Sequence, residues 1–391
     1  MPLNPTVSEL PPFSVFNEVK QRIDSYREEH PEADLLPLSI GDISTPLPPF
    51  IASALSHASL GMSTEEGFCG YGPSNGIKAL REAIAKRLYG DRITADEIFI
   101  SDGAKCDIAR LQLLISPQAR ILLQNPAYPA YLETSILFGR REVITLPCTA
   151  ENGFFPDLSC AQEGDVLFLC SPNNPTGYAF TQQELEEIVC AARTQGFLIV
   201  YDAAYAPYIR DPQLPKTIYA IEGAKEVAIE VHSFSKLAGF TGIRLGWSIV
   251  PKQLAPARGG STGSLHSGWM RLLNACYNGP SILSQAGGLA ALEENGWMAV
   301  QQRIDETMQW THRLREQLIA DGWTVYGGEN APYIWLWGKG KKSWELFEEW
   351  LNRYKMVTTP GVGFGSAGEG FLRLSTLASP KVCSKVIERF N

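Results

Sequence analysis

Between Glu97 and Val250 the chain alternates short apolar runs with helical patterns, and that alternation restricts the fold more than any other feature. The runs are Glu97–Ser101, Arg120–Leu123, Glu142–Leu146, Val166–Cys170, Phe197–Tyr201, Val227–Val231 and Arg244–Val250. Helical patterns fall between most of them. One, Thr181–Thr194, opens with the T-x-x-E spacing in which a threonine and a glutamate satisfy each other's backbone N–H groups. Strands alternating with helices imply a mostly parallel sheet covered on both faces. The expected class is α/β, with a large domain on a mostly parallel seven-stranded sheet.

After about Gly279 the texture changes. A long helical region, Ser284–Ala320, leads to strand patterns near Thr324–Tyr326 and Tyr333–Trp337, a helix, a glycine-rich loop and a strand at Phe371–Leu374. This reads as a second, smaller α+β domain. Residues 14–30 have helical periodicity ended by Pro31, and they are expected to pack with that smaller domain. The expected division is an N-terminal arm and helix over 1–45, a large domain over 46–283 and a small domain over 284–391.

Composition narrows the function. A net charge of −8 argues against a nucleic-acid or anionic-membrane surface. No apolar run reaches the roughly 18 residues that would span a bilayer. The start, "MPLNPTVSELPPF", lacks the basic and apolar regions of a secretion signal. Eight scattered cysteines without a C-x-x-C pair read as reduced thiols, so the cytoplasm is the expected compartment.

Three familiar patterns are set aside. "GFGSAG" (363–368) has dinucleotide-site spacing but leads into a strand, where such a site needs a helix. "GGSTG" (259–263) matches a nucleophile elbow, but no strand precedes it. The five histidines lack ligand spacing, and no metal is expected.

"EVHSFSKLAGFTGIRLGW" (230–247) is the informative stretch. It places Lys236 just past a strand, where an unpaired ammonium is costly and a lysine kept there usually has chemistry to do. Open α/β sheets put their sites at the carboxyl ends of strands, and other polar groups gather at such ends. "DGAKCDIARLQ" turns into a helix whose first amides, at Ala104 and Lys105, would face a phosphate. The same segment alone is equally well an ordinary β–α turn. "QNPAYPAY" offers Tyr128 as an aromatic plate, "CSPNNPTG" presents Asn174, and "VYDAAYAPYI" puts Asp202 at a strand end with Tyr205 close behind. A bare carboxylate there calls for a cationic partner.

Together these groups request a planar, phosphorylated ring with a basic nitrogen and an acidic oxygen. Lys236 would bond it, and Asp202 would keep its nitrogen protonated. Tyr205 and Asn174 would hydrogen-bond its oxygen, and Tyr128 would stack on its face. Ser233, Ser235, Arg244 and the Ala104–Lys105 amides would take the phosphate. Pyridoxal 5'-phosphate fits each request.

The ordered set "YDAAY", "SFSKLAGFTGIRLGW" and "FLRLS" resembles the fold-type-I, class I/II aminotransferases. "SDGAKCDIARLQ", "CSPNNPTG", "ACYNGPSILSQAGGLA" and "TTPGVGFGSAGEGFLRLS" look like segments of the LL-diaminopimelate aminotransferase family within them. The resemblance runs from about Ser39 to Leu374. It implies pyridoxal-phosphate-dependent transfer of an amino group between glutamate and tetrahydrodipicolinate, in lysine and cell-wall precursor synthesis. It also implies a homodimer with shared active sites. By resemblance, Arg373 clamps the substrate carboxylate, helped by Asn174 and the Gly41 backbone. Lys105 and Tyr128 match substrate-contacting positions as well. Tyr71 reaches the partner subunit's cofactor phosphate, and Glu66 and Asn274 read the far end of the substrate. The family usually has a tyrosine near position 14, where this chain reads "PPFSVFNEV" with Ser14 next to Phe13.

Two other readings stay open from the sequence. A broader aminotransferase (aspartate, aromatic or alanine type) or a related lyase would use the same Asp202, Lys236 and Arg373. A ligand-sensing regulator on this fold would need a fused DNA-binding domain.

Overall fold

The structure, a computed structural model, describes residues 4–11, 14–39, 41–254 and 263–390. Phe13 and most of the "GGSTG" segment therefore lie outside the described residues. No helix among the described residues is long and apolar enough to cross a membrane.

All seven apolar runs form strands of one sheet: β1 (Ile98–Ser101), β2 (Ile121–Asn125), β3 (Val143–Pro147), β4 (Val166–Cys170), β5 (Leu198–Asp202), β6 (Ala228–Ser233) and β7 (Gly246–Ile249). The spatial order is β1-β7-β6-β5-β4-β2-β3. Strands β1, β2 and β4 are buried along their whole length, which is why they read as continuous apolar runs. Strand β7 alone runs antiparallel to its neighbours. Its connection from β6 holds only the short helix Phe234–Leu237, too little for the crossover that parallel pairing needs. The helix Gln182–Gln195 is capped as its sequence specifies, with Glu184 N–H donating to Thr181 Oγ1 and Thr181 N–H to Glu184 Oε2.

A second sheet is antiparallel, in the order β10-β11-β9-β8, from β8 (Val325–Gly327), β9 (Tyr333–Trp337), β10 (Thr359–Pro360) and β11 (Phe371–Ser375). Its core includes Leu336, Phe347, Trp350 and Leu372, and Val15 and Val19 of the N-terminal helix Val15–Glu29 belong to it. Trp350 is fully buried, and removing its side chain would cost about 3–5 kcal/mol. "GFGSAG" lies in two short 3₁₀ turns that lead into β11, and it opens no α-helix.

The helical region expected over Ser284–Ala320 is two helices, Ile282–Leu292 and Glu294–Ala320, broken where Glu293 adopts an extended backbone. The second helix spans both cores. Val300, Ile304 and Met308 pack with the large one, whereas Leu314 and Leu318 pack with the small one. This shared helix and the small sheet hold β11 against the carboxyl ends of β4, β5 and β6. The site forms at that junction.

Candidate active site

A cavity of about 370 Å³ opens over those strand ends. The helix Ala104–Leu114 starts just after β1 with its first residues, Ala104 and Lys105, on the cavity wall. Its N-cap is Gly103, held at φ 129° in a conformation that suits glycine. A Cβ there would run into Arg244 Nη2, and one on Gly246 would sit 2.8 Å from the Gly103 Cα. The absence of both side chains lets the guanidinium close on the helix N-terminus. Arg244 Nη1 donates to Ser235 Oγ at 3.3 Å, and Ser235 N–H donates to Ser233 Oγ at 3.1 Å. Free helix amides, two hydroxyls and an arginine thus converge on one spot, which is the chemistry of a phosphate cradle.

Lys236 lies in the short helix that follows β6, and its Nζ donates to the Gly41 carbonyl. Burial lowers its pKa to about 8, helped by the Arg373 and Arg244 cations and opposed by Asp42 and Asp202. Near neutral pH most of this amine is still ammonium, but its neutral, nucleophilic fraction is far larger than that of an ordinary lysine.

Asp202 ends β5 and is buried. Tyr131 OH donates to Oδ2 at 2.7 Å and Ala204 N–H to Oδ1 at 2.9 Å. A hydroxyl and an amide meet the two oxygens. Burial pushes the carboxyl pKa up, while those two donors, His232 and Lys236 pull it down. A cationic ring nitrogen brought into the cavity would meet a carboxylate that has no fixed cation bonded to it.

On the far wall, Arg373 of β11 is buried, and Nη1 donates to Asn174 Oδ1 at 2.8 Å. Nη2 donates to the Ser39 carbonyl. The guanidinium lies 4.7 Å over the Tyr333 ring and 4.8 Å over Phe364, and its Nε has no partner among the described residues. A buried, partly unpaired guanidinium facing a cavity suits a carboxylate.

Tyr128 and Tyr205 also line the cavity, and Tyr205 OH lies 2.6 Å from Tyr333 OH. Tyr205 and Asn174, expected to meet a ring oxygen, are here paired with Tyr333 and Arg373. Twelve of the expected residues, Gly41 among them, face this one cavity. Tyr71, Glu66 and Asn274 do not. All three are exposed, with Tyr71 at 91%, and Asn274 bonds Ser74 of the loop that carries the other two. Ser14 caps the N-terminal helix through Asn17 N–H. Sequence reasoning missed Tyr131, Tyr333, Asp42 and Phe16, all on the cavity wall. Only Tyr131 carried a signal, since it stands three residues past Tyr128 in a segment already singled out.

Residues 33–390 match the family model for aminotransferase class I and II. The chain belongs to the class I and II aminotransferases. Among individual proteins, this aminotransferase is 43% identical over 387 residues to an LL-diaminopimelate aminotransferase of Protochlamydia amoebophila, covering 94% of this chain and 93% of the relative. It is 42% identical to a chloroplastic LL-diaminopimelate aminotransferase of Arabidopsis thaliana, covering 99% of this chain and 86% of that protein. Its fold superposes on the L,L-diaminopimelate aminotransferase of Chlamydomonas reinhardtii with a TM-score of 0.94 at 45% identity, covering 100% and 98% of the two chains.

Proposed function

We propose that this aminotransferase moves an amino group between LL-diaminopimelate and 2-oxoglutarate, with pyridoxal 5'-phosphate held in the cavity, as a step of lysine and cell-wall precursor synthesis. The observation that carries the reading is the convergence of Lys236, Asp202 and Arg373 on one cavity beside a phosphate cradle. The names of relatives more than 40% identical over nearly the whole chain support the substrate.

The residues divide the work. Ala104, Lys105, Ser233, Ser235 and Arg244 hold the phosphate, with Tyr71 of the partner subunit completing the cradle. Tyr128 covers the ring face, Tyr205 and Asn174 face the ring oxygen, and Asp202 keeps the ring nitrogen protonated. When bound, the cofactor supplies an electron sink for the charge that develops at the substrate α-carbon. Lys236 would anchor it and would move the proton at that carbon as general acid and base. Arg373 fixes the reacting carboxylate with Asn174 and the Gly41 backbone, so the α-hydrogen meets the lysine in a fixed geometry.

LL-diaminopimelate has a second amino-acid head. Glu66 and Asn274 would receive it in a homodimer whose sites are shared. A site built to hydrogen-bond such a head rejects analogues without it, because its own polar groups would be left unpaired. Half-reaction absorbance changes with a panel of amino donors and keto acids test the substrate. Strong responses to LL-diaminopimelate and glutamate are expected. Comparable responses to aspartate, alanine and aromatic amino acids would return the chain to a general aminotransferase.

A further inference from the structure

The mechanism leaves one buried hydroxyl of the cavity unused. Tyr333 opens β9 on the small sheet and is fully buried, yet its hydroxyl reaches across to the large domain. Among the described residues that hydroxyl has one hydrogen-bond partner, Tyr205 OH, at 2.6 Å. Its position is tightly fixed. A Cβ on Gly41 would lie 2.5 Å from it and 3.9 Å from Lys236 Nζ, so Gly41, Lys236 and Tyr333 meet at one point. Arg373 holds the ring from its face, 4.7 Å away.

We infer that Tyr333 is a positioning residue that donates its proton to Tyr205 and so strengthens the hydrogen bond Tyr205 gives to the cofactor's ring oxygen. This rests on the cofactor reading above. Each phenol has one proton. If Tyr205 spends its own on an acceptor in the cavity, the proton between the two tyrosines must come from Tyr333. A hydroxyl that accepts one hydrogen bond is a stronger donor of the next. The small domain thus reaches the chromophore through Tyr205 as well as reaching the substrate through Arg373.

The sign follows. Donation to the ring oxygen favours its anionic form, so it lowers the pH at which the lysine-bound chromophore loses its proton. Removing the Tyr333 hydroxyl weakens that donation and raises the midpoint.

The test is spectrophotometric pH titration of the holoenzyme as wild type, Tyr333→Phe, Tyr205→Phe and the double variant. Phenylalanine keeps the ring under Arg373, so packing is preserved. Tyr333→Phe should move the midpoint up by about half a pH unit, a fraction of one hydrogen bond. Tyr205→Phe should move it further, and the double variant should match Tyr205→Phe, because the relay has no second route. An unmoved midpoint in Tyr333→Phe, or additive shifts in the double variant, would overturn the relay. A wild type with no visible band fixed to Lys236 by borohydride would instead overturn the cofactor reading.

Discussion

Arg373 and Asn174 are 199 positions apart in the chain, yet Arg373 Nη1 donates to Asn174 Oδ1 at 2.8 Å. One belongs to the small sheet and the other to the loop after β4, so this bond spans the cavity and aims the guanidinium before substrate arrives. Lysine cannot reproduce a planar, two-pronged donor. Arg373→Lys should raise KM for both amino donors by about 10–100-fold, the range of one or two charged hydrogen bonds. Steady-state kinetics with each donor checks this, and unchanged KM values would remove Arg373 from the carboxylate site.

Asp202 and Tyr131 form a second pair whose consequences differ by residue. Asp202→Asn should stay folded and bind cofactor, with turnover lowered by about 10²–10⁴-fold, because a neutral amide cannot hold a cationic ring nitrogen in a buried site. Tyr131→Phe removes one of the two donors that pull the Asp202 pKa down, and should lower turnover by about tenfold. Single-turnover rates separate the two. Near-normal turnover in Asp202→Asn would make the residue structural.

The pKa of Lys236 gives a pH dependence for loading cofactor-free protein. Burial lowers it to about 8, so below that pH most of the amine is ammonium and has no lone pair to attack an aldehyde. As pH rises through 8 the neutral fraction grows and then saturates. The rate of reconstitution with pyridoxal phosphate should therefore climb to a plateau with a midpoint near 8, well below the ordinary lysine value. Stopped-flow absorbance measures it. A rate still climbing steeply near pH 10 would mean that the lysine is not desolvated.

Tyr71 and Glu66 stand on an exposed loop outside this subunit's cavity, as they must if they serve a partner. Mixing an inactive Lys236→Ala protein with an inactive Tyr71→Phe/Glu66→Gln protein should restore part of the activity, because some hybrid dimers hold one intact site. No recovery despite demonstrated subunit exchange would contradict the shared site.

Most of the sheet was legible because burial on both faces leaves an unbroken apolar signature, and each expected strand falls within about two residues of the observed one. The reversed β7 was not, since a buried strand reads the same in either direction. Site residues that follow strand ends, such as Asp202 and Lys236, were legible because a polar group there breaks an apolar run. Tyr333 was hidden for the opposite reason, and Tyr131 was signalled only by its nearness to Tyr128. One sits on a helix and the other opens an apolar strand, where a tyrosine reads as ordinary packing until the fold shows what its hydroxyl touches. The phenol that Tyr131 adds to Asp202 was hidden on the same ground.

Lys236, and no other lysine, is proposed to carry the cofactor. Borohydride reduction of the holoenzyme followed by peptide mapping tests it most directly. One modified residue, Lys236, is expected, with the visible absorbance abolished by the reduction. Label on Lys105, which lines the same cavity, or on no lysine, would contradict it.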